Sequence, residues 1–193
     1  AWQGGGKGCS NTVMVTLGTG VGGGIIVNGK IVVGTSGFGG EIGHMKMNMQ
    51  ETETCGCGKK GCLEQYASAT GIARMAKRML AETNEPTVLA GKKFVSAKDV
   101  FDAAKEGDKV ALQIVDEVCA ILALGLSYIG CVCDPEAFII GGGVSKAGSI
   151  LTEAIERHYM DNVFGDLKKV KFVLATLGND AGIYGGAKLA LGE

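Results

Sequence analysis

The run from His44 through Cys55-Gly-Cys57-Gly-Lys-Lys-Gly-Cys62-Leu-Glu64 places four soft or borderline metal ligands within nineteen residues. Three thiolates and one imidazole complete a tetrahedral set, which is what a closed, structural Zn2+ site requires. Such a site dictates local shape, because one ion must draw three cysteines of a short loop together. Gly56, Gly58 and Gly61 give that loop the backbone freedom to comply. Buried or disulfide-bonded cysteines are the ordinary alternative. Cys55 and Cys57 suit it poorly, since one intervening residue leaves little room for unstrained disulfide geometry. The C-x2-C spacing of zinc fingers is absent, so the loop is a different kind of knuckle.

The rest of the chain must be read around that loop. At 193 residues it can bury a sizeable core as one large domain or two small ones. A net charge of −1 with well-mixed signs argues against a nucleic-acid surface or a polybasic membrane patch. Seven cysteines, three of them assigned to metal, fit a reducing cytoplasm better than a disulfide-stapled secreted fold. Ala1-Trp2-Gln3-Gly4 has neither the basic start nor the apolar run of a signal peptide. The first residue is not Met, so the chain reads as a piece beginning inside a larger protein. Val118–Cys133 carries no formal charge but is shorter than the ~20 residues a membrane span needs. It continues an amphipathic stretch (Val110, Ile114, Val118, Ile121), which predicts a buried helix. Thirty-three of the 193 residues are glycine, more than twice the usual ~7 per cent. They cluster, which predicts several loops that approach a ligand closely.

Three strands are expected to open the chain. Thr12–Leu17 is β-branched, and Ile25–Val27 and Ile31–Val33 flank Asn28-Gly29, a hairpin signal. Helical spacing then runs from Leu63 to about Leu80, with Ser68 as a candidate internal cap. Ser96-Ala-Lys-Asp99 resembles a capping box for a short helix stopping at Gly107. A long helix is expected from Asp108 to about Cys133, a buried strand at Ala137–Ile140, and a helix over about Ser149–Met160. Val170–Ala175 and Ala181–Leu191 read as a last strand and a last helix. The order β-β-β-α-β-α-β-α predicts one α/β domain. Its mixed sheet carries helices on both faces, with the metal loop and helical segment inserted after the third strand.

Two glycine loops stand out. Gly18-Thr19-Gly20-Val21-Gly22-Gly23 matches G-x-G-x-x-G, yet it runs into a strand and hairpin instead of a helix, which excludes the dinucleotide-binding reading. It is either a strand–turn–strand unit whose backbone N–H groups line a phosphate, helped by the Thr19 hydroxyl, or a tight glycine-rich hairpin. Gly141-Gly142-Gly143-Val144-Ser145 follows a strand and precedes a helix, at the sheet edge where α/β proteins bind ligands. There it serves a base or ribose, or is a short crossover needing φ > 0. Asn179–Ala187 is similar, with small residues expected to let the last helix pack closely. Glu41, in a glycine-rich bend, and Glu64 bracket the metal ligands, so both could point into one pocket for a polyhydroxyl ligand; solvated surface glutamates are the alternative.

Leu17–Ile25, Gly40-Glu-Ile-Gly-His44, Cys55-x-Cys57-Gly-x-x-Gly-Cys62-Leu-Glu64 and Asp180-Ala-Gly-Ile-x-Gly-Gly-Ala187 together resemble the ROK family of sugar kinases and repressors, in order over nearly the whole chain. The likeness is strongest to bacterial ROK glucokinases. It implies an actin-like, ribonuclease H-like ATPase fold, with residues 1–193 as the C-terminal domain of a two-domain kinase and a zinc loop at about 44–64. It implies Zn2+ on His44, Cys55, Cys57 and Cys62, and a hexose, glucose first, on Glu41, His44 and Glu64. ATP with Mg2+ would lie on Gly18, Thr19, Gly20, Gly22 and Gly23 and on Gly141, Gly142, Gly143 and Ser145. His44 would serve zinc on one ring nitrogen and sugar on the other.

One departure is informative. The family's general base is an aspartate upstream of the phosphate segment, whereas the first aspartate here is Asp99. An Asp-x-Gly-Gly-Thr phosphate loop is also missing, and Ala1–Gly4 looks like the continuation of the helix carrying the base. The expected reading is therefore a glucokinase-type phosphotransferase of the cytoplasm, a homodimer at full length, whose base lies before residue 1. This chain alone is expected to be inactive. A sugar-responsive repressor of the same family is the rival, and two intact glycine loops favour the kinase.

Overall fold

The computed structural model describes residues 3–191. Ala1 and Trp2, half of the expected helix continuation, lie outside them; from Gln3 to Gly8 the chain runs in bends and turns. Five strands make one mixed sheet, β1 Thr12–Leu17, β2 Val21–Val27, β3 Lys30–Ile31, β4 Ala137–Gly141 and β5 Lys171–Leu174, in the order β3-β2-β1-β4-β5. β1 pairs antiparallel with β2 and parallel with β4, and β4 pairs parallel with β5. The helices are α1 Glu64–Ala67, α2 Ala69–Glu82, α3 Ala97–Lys105, α4 Lys109–Cys133, α5 Ser149–Asn162 and α6 Ala181–Ala190.

Local chemistry explains the boundaries. Asn28 and Gly29 both have positive φ (51° and 74°), as a two-residue hairpin turn demands. Ser68 breaks the expected Leu63–Leu80 helix into α1 and α2, with its hydroxyl accepting from Gly71 N–H. Ser96 and Asp99 close a full capping box on α3, and Asp108 caps α4. At its other end α4 stops in a left-handed Asp134 (φ 41°) before Pro135.

The core lies on one face of the sheet. Val13, Val15, Leu17, Phe138 and Ile140 meet Ile72 of α2, Val100 of α3, Ile114, Leu122 and Leu126 of α4 and Ile155 of α5. α4 is long and apolar enough to cross a membrane by length and composition, but most of it is buried in this cluster. Phe138, Tyr159 and Phe172 form an aromatic trio (centroids 5.1–5.6 Å apart) that locks α5 to β4 and β5.

Three expectations need correction. β2 begins at Val21, so Gly22, Gly23 and Gly24 are strand residues and not loop. Their lack of a side chain serves packing: a Cβ at Gly23 would meet Gly40 O at 2.5 Å, and one at Gly22 would meet Thr16 Oγ1 at 2.7 Å. β3 covers only Lys30–Ile31; Val32 N–H still bonds Ile25 O of β2 (2.8 Å), but Val33 O turns to Gly39 N–H (2.8 Å), and both side chains are exposed. Finally, α6 buries none of its described residues, and a Cβ at Gly182, Gly185 or Gly186 meets nothing within 4 Å among the described residues, so the expected close packing of this helix is not made with them.

Candidate functional site

The metal loop is built as a small knot. Met47 N–H bonds Gly61 O (2.7 Å) and Leu63 N–H bonds Met45 O (2.8 Å), which folds the cysteine segment back beside His44. Gly61 has φ +78° and a Cβ there would overlap Asn48 O, so only glycine fits the crossing point. Within the loop Cys55 N–H reaches Lys59 O (2.7 Å). The result brings one ligand atom from each of His44, Cys55, Cys57 and Cys62 within 4.8 Å of one another. Ligands about 2.3 Å from a tetrahedral ion sit roughly 3.8 Å apart. Cys55 Sγ to His44 Nδ1 is 3.8 Å, and Cys57 Sγ to Cys62 Sγ is 3.6 Å. The donor set therefore fits zinc in type, number and spacing, and Nδ1 is the ring nitrogen that faces it. All seven cysteines are free of disulfides.

Thiol chemistry points the same way. Burial pushes the Cys55 thiol up to about 12 and raises Cys62, while a backbone N–H at Lys59 lowers exposed Cys57. Two buried thiols keep their protons unless a cation replaces them, so ligation must release protons.

Around this cluster stand the two glutamates. Glu41 Oε2 lies 4.0 Å from His44 Nε2, and Glu64 Oε1 lies 4.0 Å from His44 Nδ1. Glu64 also touches the glycine turn: its Oε2 accepts from Val21 N–H (3.3 Å), and a Cβ at Gly20 would overlap that same oxygen. The turn itself is Gly18-Thr19-Gly20, at the C-terminal end of β1. At the C-terminal end of the parallel β4, Gly142 (φ +84°) packs so closely on β1 that a Cβ would meet Leu17 O at 2.5 Å. Gly143–Ala147 is a single 3-10 turn, and the Ser145 hydroxyl is occupied by Gly142 O (2.7 Å). The two glycine loops thus lie side by side on one sheet edge, and Glu41, His44 and Glu64 lie beside the first. A cleft of ≈ 350 Å³ is lined by Thr19, Gly20, Cys55, Gly56, Glu64 and Thr70, among others.

A second cluster escaped the sequence reading. Glu51, its side chain 2 % exposed, accepts from Arg74 (3.1 Å), from Arg78 (3.0 and 3.1 Å) and from the Tyr66 hydroxyl (2.7 Å). Glu53 takes further bonds from both arginines. These contacts clamp the segment before Cys55 onto α2. The only sequence signal was the i,i+4 pair Arg74/Arg78, which names no partner. Asp99, the first aspartate, is consumed by the α3 cap and by Lys92 Nζ (2.6 Å).

Fold and site together define an actin-like ATPase domain whose polar cleft adjoins a His/Cys cluster able to hold a metal. The chain belongs to the ROK family, which it matches over residues 1–193. It is 43 % identical to a glucokinase of Halalkalibacterium halodurans over 97 % of this chain and 58 % of that protein. A ROK family glucokinase from Streptomyces griseus, solved with glucose and AMPPNP, superposes with TM-score 0.84 at 35 % identity, over 95 % of this chain and 61 % of that one. A ROK family transcriptional regulator, a homolog of the E. coli MLC protein, superposes with TM-score 0.74 at 30 % identity, over 86 % of this chain and 42 % of that one. The chain spans about three fifths of the length of the glucokinases it matches.

Proposed function

We propose that residues 1–193 are the C-terminal domain of a two-domain hexose kinase. The whole protein transfers the γ-phosphoryl group of ATP to a sugar hydroxyl, with the 6-hydroxyl of glucose as the first choice. The carrying observation is the contact of Glu64 with both halves of the site: its carboxylate borders His44 and Cys55 on one side and accepts from the turn at Val21 on the other. A sugar held by Glu41, His44 and Glu64 would lie next to phosphates held at Gly18–Gly20 and Gly142. That proximity is what phosphoryl transfer requires. The similarity to a glucokinase solved with glucose and an ATP analogue supports the same assignment.

In this reading each group has a defined task. Glu41 and Glu64 accept hydrogen bonds from sugar hydroxyls. His44 Nδ1, Cys55, Cys57 and Cys62 would hold Zn2+, which would stiffen the loop, and His44 would keep Nε2–H as a donor toward the ligand. The Cys55 thiol lies 3.2 Å from Glu64 Oε1, and as a metal ligand Cys55 would be a thiolate, leaving that oxygen for the sugar. Backbone N–H groups of the turn and of Gly142–Gly143 meet the phosphates, with Mg2+ neutralising their charge. The base in this reading is an aspartate preceding the glycine turn, as the family resemblance implies, and no aspartate stands before Gly18 in this chain. The whole protein works as a cytoplasmic homodimer, which light scattering of the full-length protein checks.

The test is a coupled assay on the full-length protein with ATP, Mg2+ and a panel of glucose, N-acetylmannosamine, allose and fructose, paired with calorimetric titration of ATP. Turnover with highest kcat/KM on glucose is expected. The similarity to the regulator supports a second reading, a sugar-binding repressor. Sugar binding without ATP binding would establish that reading and overturn the kinase.

A further inference from the structure

The four peptide groups of the turn between β1 and β2 can be followed one by one. Gly18 N–H is bonded to Gly20 O (3.0 Å), and Val21 N–H to Glu64 Oε2 (3.3 Å). Gly18 O accepts from Ala69 N–H, the first residue of α2 (2.8 Å). Thr19 O accepts from the Thr70 hydroxyl (2.6 Å). Only two backbone donors of this turn, Thr19 N–H and Gly20 N–H, have no partner among the described residues. Two adjacent free N–H groups in a glycine turn form an anion-binding concavity.

Their direction is not left to the turn. In a trans peptide the carbonyl and the following N–H point opposite ways, and the structure contains no cis bond among the described residues. Holding Gly18 O against Ala69 therefore sends Thr19 N–H away from α2, and holding Thr19 O against Thr70 does the same for Gly20 N–H. The first anchor is backbone and survives any substitution at residue 69 except proline. The second depends on one side chain. Thr70 in turn is placed by Ser68, whose oxygen lies 3.0 Å from Thr70 Oγ1 while donating to Glu64 O (2.6 Å) and accepting from Gly71 N–H (2.9 Å). Two hydroxyl protons serve the two shortest contacts, so Thr70 donates to Thr19 O.

We propose that Thr70 is a positioning residue for phosphoryl transfer: its hydroxyl fixes the Thr19–Gly20 peptide plane and so aims the Gly20 N–H at the nucleotide phosphates. The proposal rests on the kinase reading of the site. Thr70 is solvent-exposed, so water can replace its bond to Thr19 O and the fold loses little. What is lost is the orientation of the donor.

The experiment compares full-length Thr70→Val and Thr70→Ser with the unsubstituted protein, using kcat and KM for ATP and for glucose, zinc content and melting temperature. Thr70→Val should lower kcat/KM for ATP about tenfold, keep glucose KM and zinc content within about twofold, and leave melting nearly unchanged. Thr70→Ser, which keeps the donor, should recover most of the loss. A Val variant within twofold of the unsubstituted enzyme overturns the proposal while the kinase reading stands. So does a Ser variant as impaired as Val, or a parallel fall in zinc and sugar affinity, because each points to general structural damage. Lack of turnover in the unsubstituted protein overturns both.

Discussion

Glu51 is a buried carboxylate whose charge the fold both tolerates and uses. The Arg78 guanidinium, followed by Tyr66 and Arg74, holds it well below the usual carboxylate range against the opposing effect of burial. Depressing a carboxyl's pKa in the folded state means its contribution is complete above the unfolded value and is lost as pH falls through that value toward the folded one. Glu51→Gln should cost about 3 kcal/mol at neutral pH, the low end for breaking a buried pair because Arg78 remains partly exposed. The gap between the two proteins should hold from pH 8 to 6 and narrow below about 4.5, the ordinary value of this group. Denaturant unfolding across that range measures it, and a gap that widens with acid contradicts the assignment. None of this was visible residue by residue in the sequence. Glu51 sits in a polar run with Glu53 and reads as solvated, because nothing local shows that α2 will lie against it.

At the scale of elements, the metal loop and α2 support each other. The Glu51 clamp ties residues 51–53 to Arg74 and Arg78, the Gln65 side chain accepts from Gly61 and Cys62 N–H, and the His/Cys cluster closes the other end. A metal there would complete a loop that is already partly shaped. Metal analysis should find about one zinc per chain. Chelation should lower the melting temperature by about 5 °C or more without abolishing folding, and Cys57→Ser should do likewise. Much less than one zinc, or a Cys57→Ser protein as stable as the parent, would remove the site from the account. The elements themselves were mostly legible. The α3 capping box, the long α4 and the Asn28-Gly29 hairpin depend on neighbours a few residues away, and those interactions travel with the sequence. The failures came where distance in sequence mattered. β2 reaches back to Val21 because its glycines pair with β1 and admit Gly40, a contact no local pattern encodes.

For the whole molecule, the sheet order β3-β2-β1-β4-β5 is what turns separate motifs into a site. Placing β4 beside β1 in parallel brings two glycine loops, more than 120 positions apart in the sequence, onto one edge, with Glu41 and Glu64 next to the first. On the proposed kinase reading this arrangement would supply positioning and phosphate contacts, with no residue of this chain assigned to proton removal. This chain mixed with ATP, Mg2+ and glucose should thus form no sugar phosphate, while the full-length protein does. Turnover by the chain alone would place a base among its own residues and overturn the proposal that an upstream aspartate takes the proton.

The sequence by itself determined the His/Cys cluster as a candidate ligand set, the helix caps, the hairpin and the family, because each rests on residue type and short spacing. It could name Glu41, His44 and Glu64 as neighbours of a metal loop, but not say that Glu64 would reach across to Val21. Only the tertiary structure decided that, along with the burial of Glu51 and the anchoring of Thr19 by Thr70. Those contacts join residues 43, 23 to 27 and 51 positions apart. Their geometry exists only after α1 and α2 have packed beside the sheet, and for Glu51 it is the loss of water that makes the buried carboxylate need its partners.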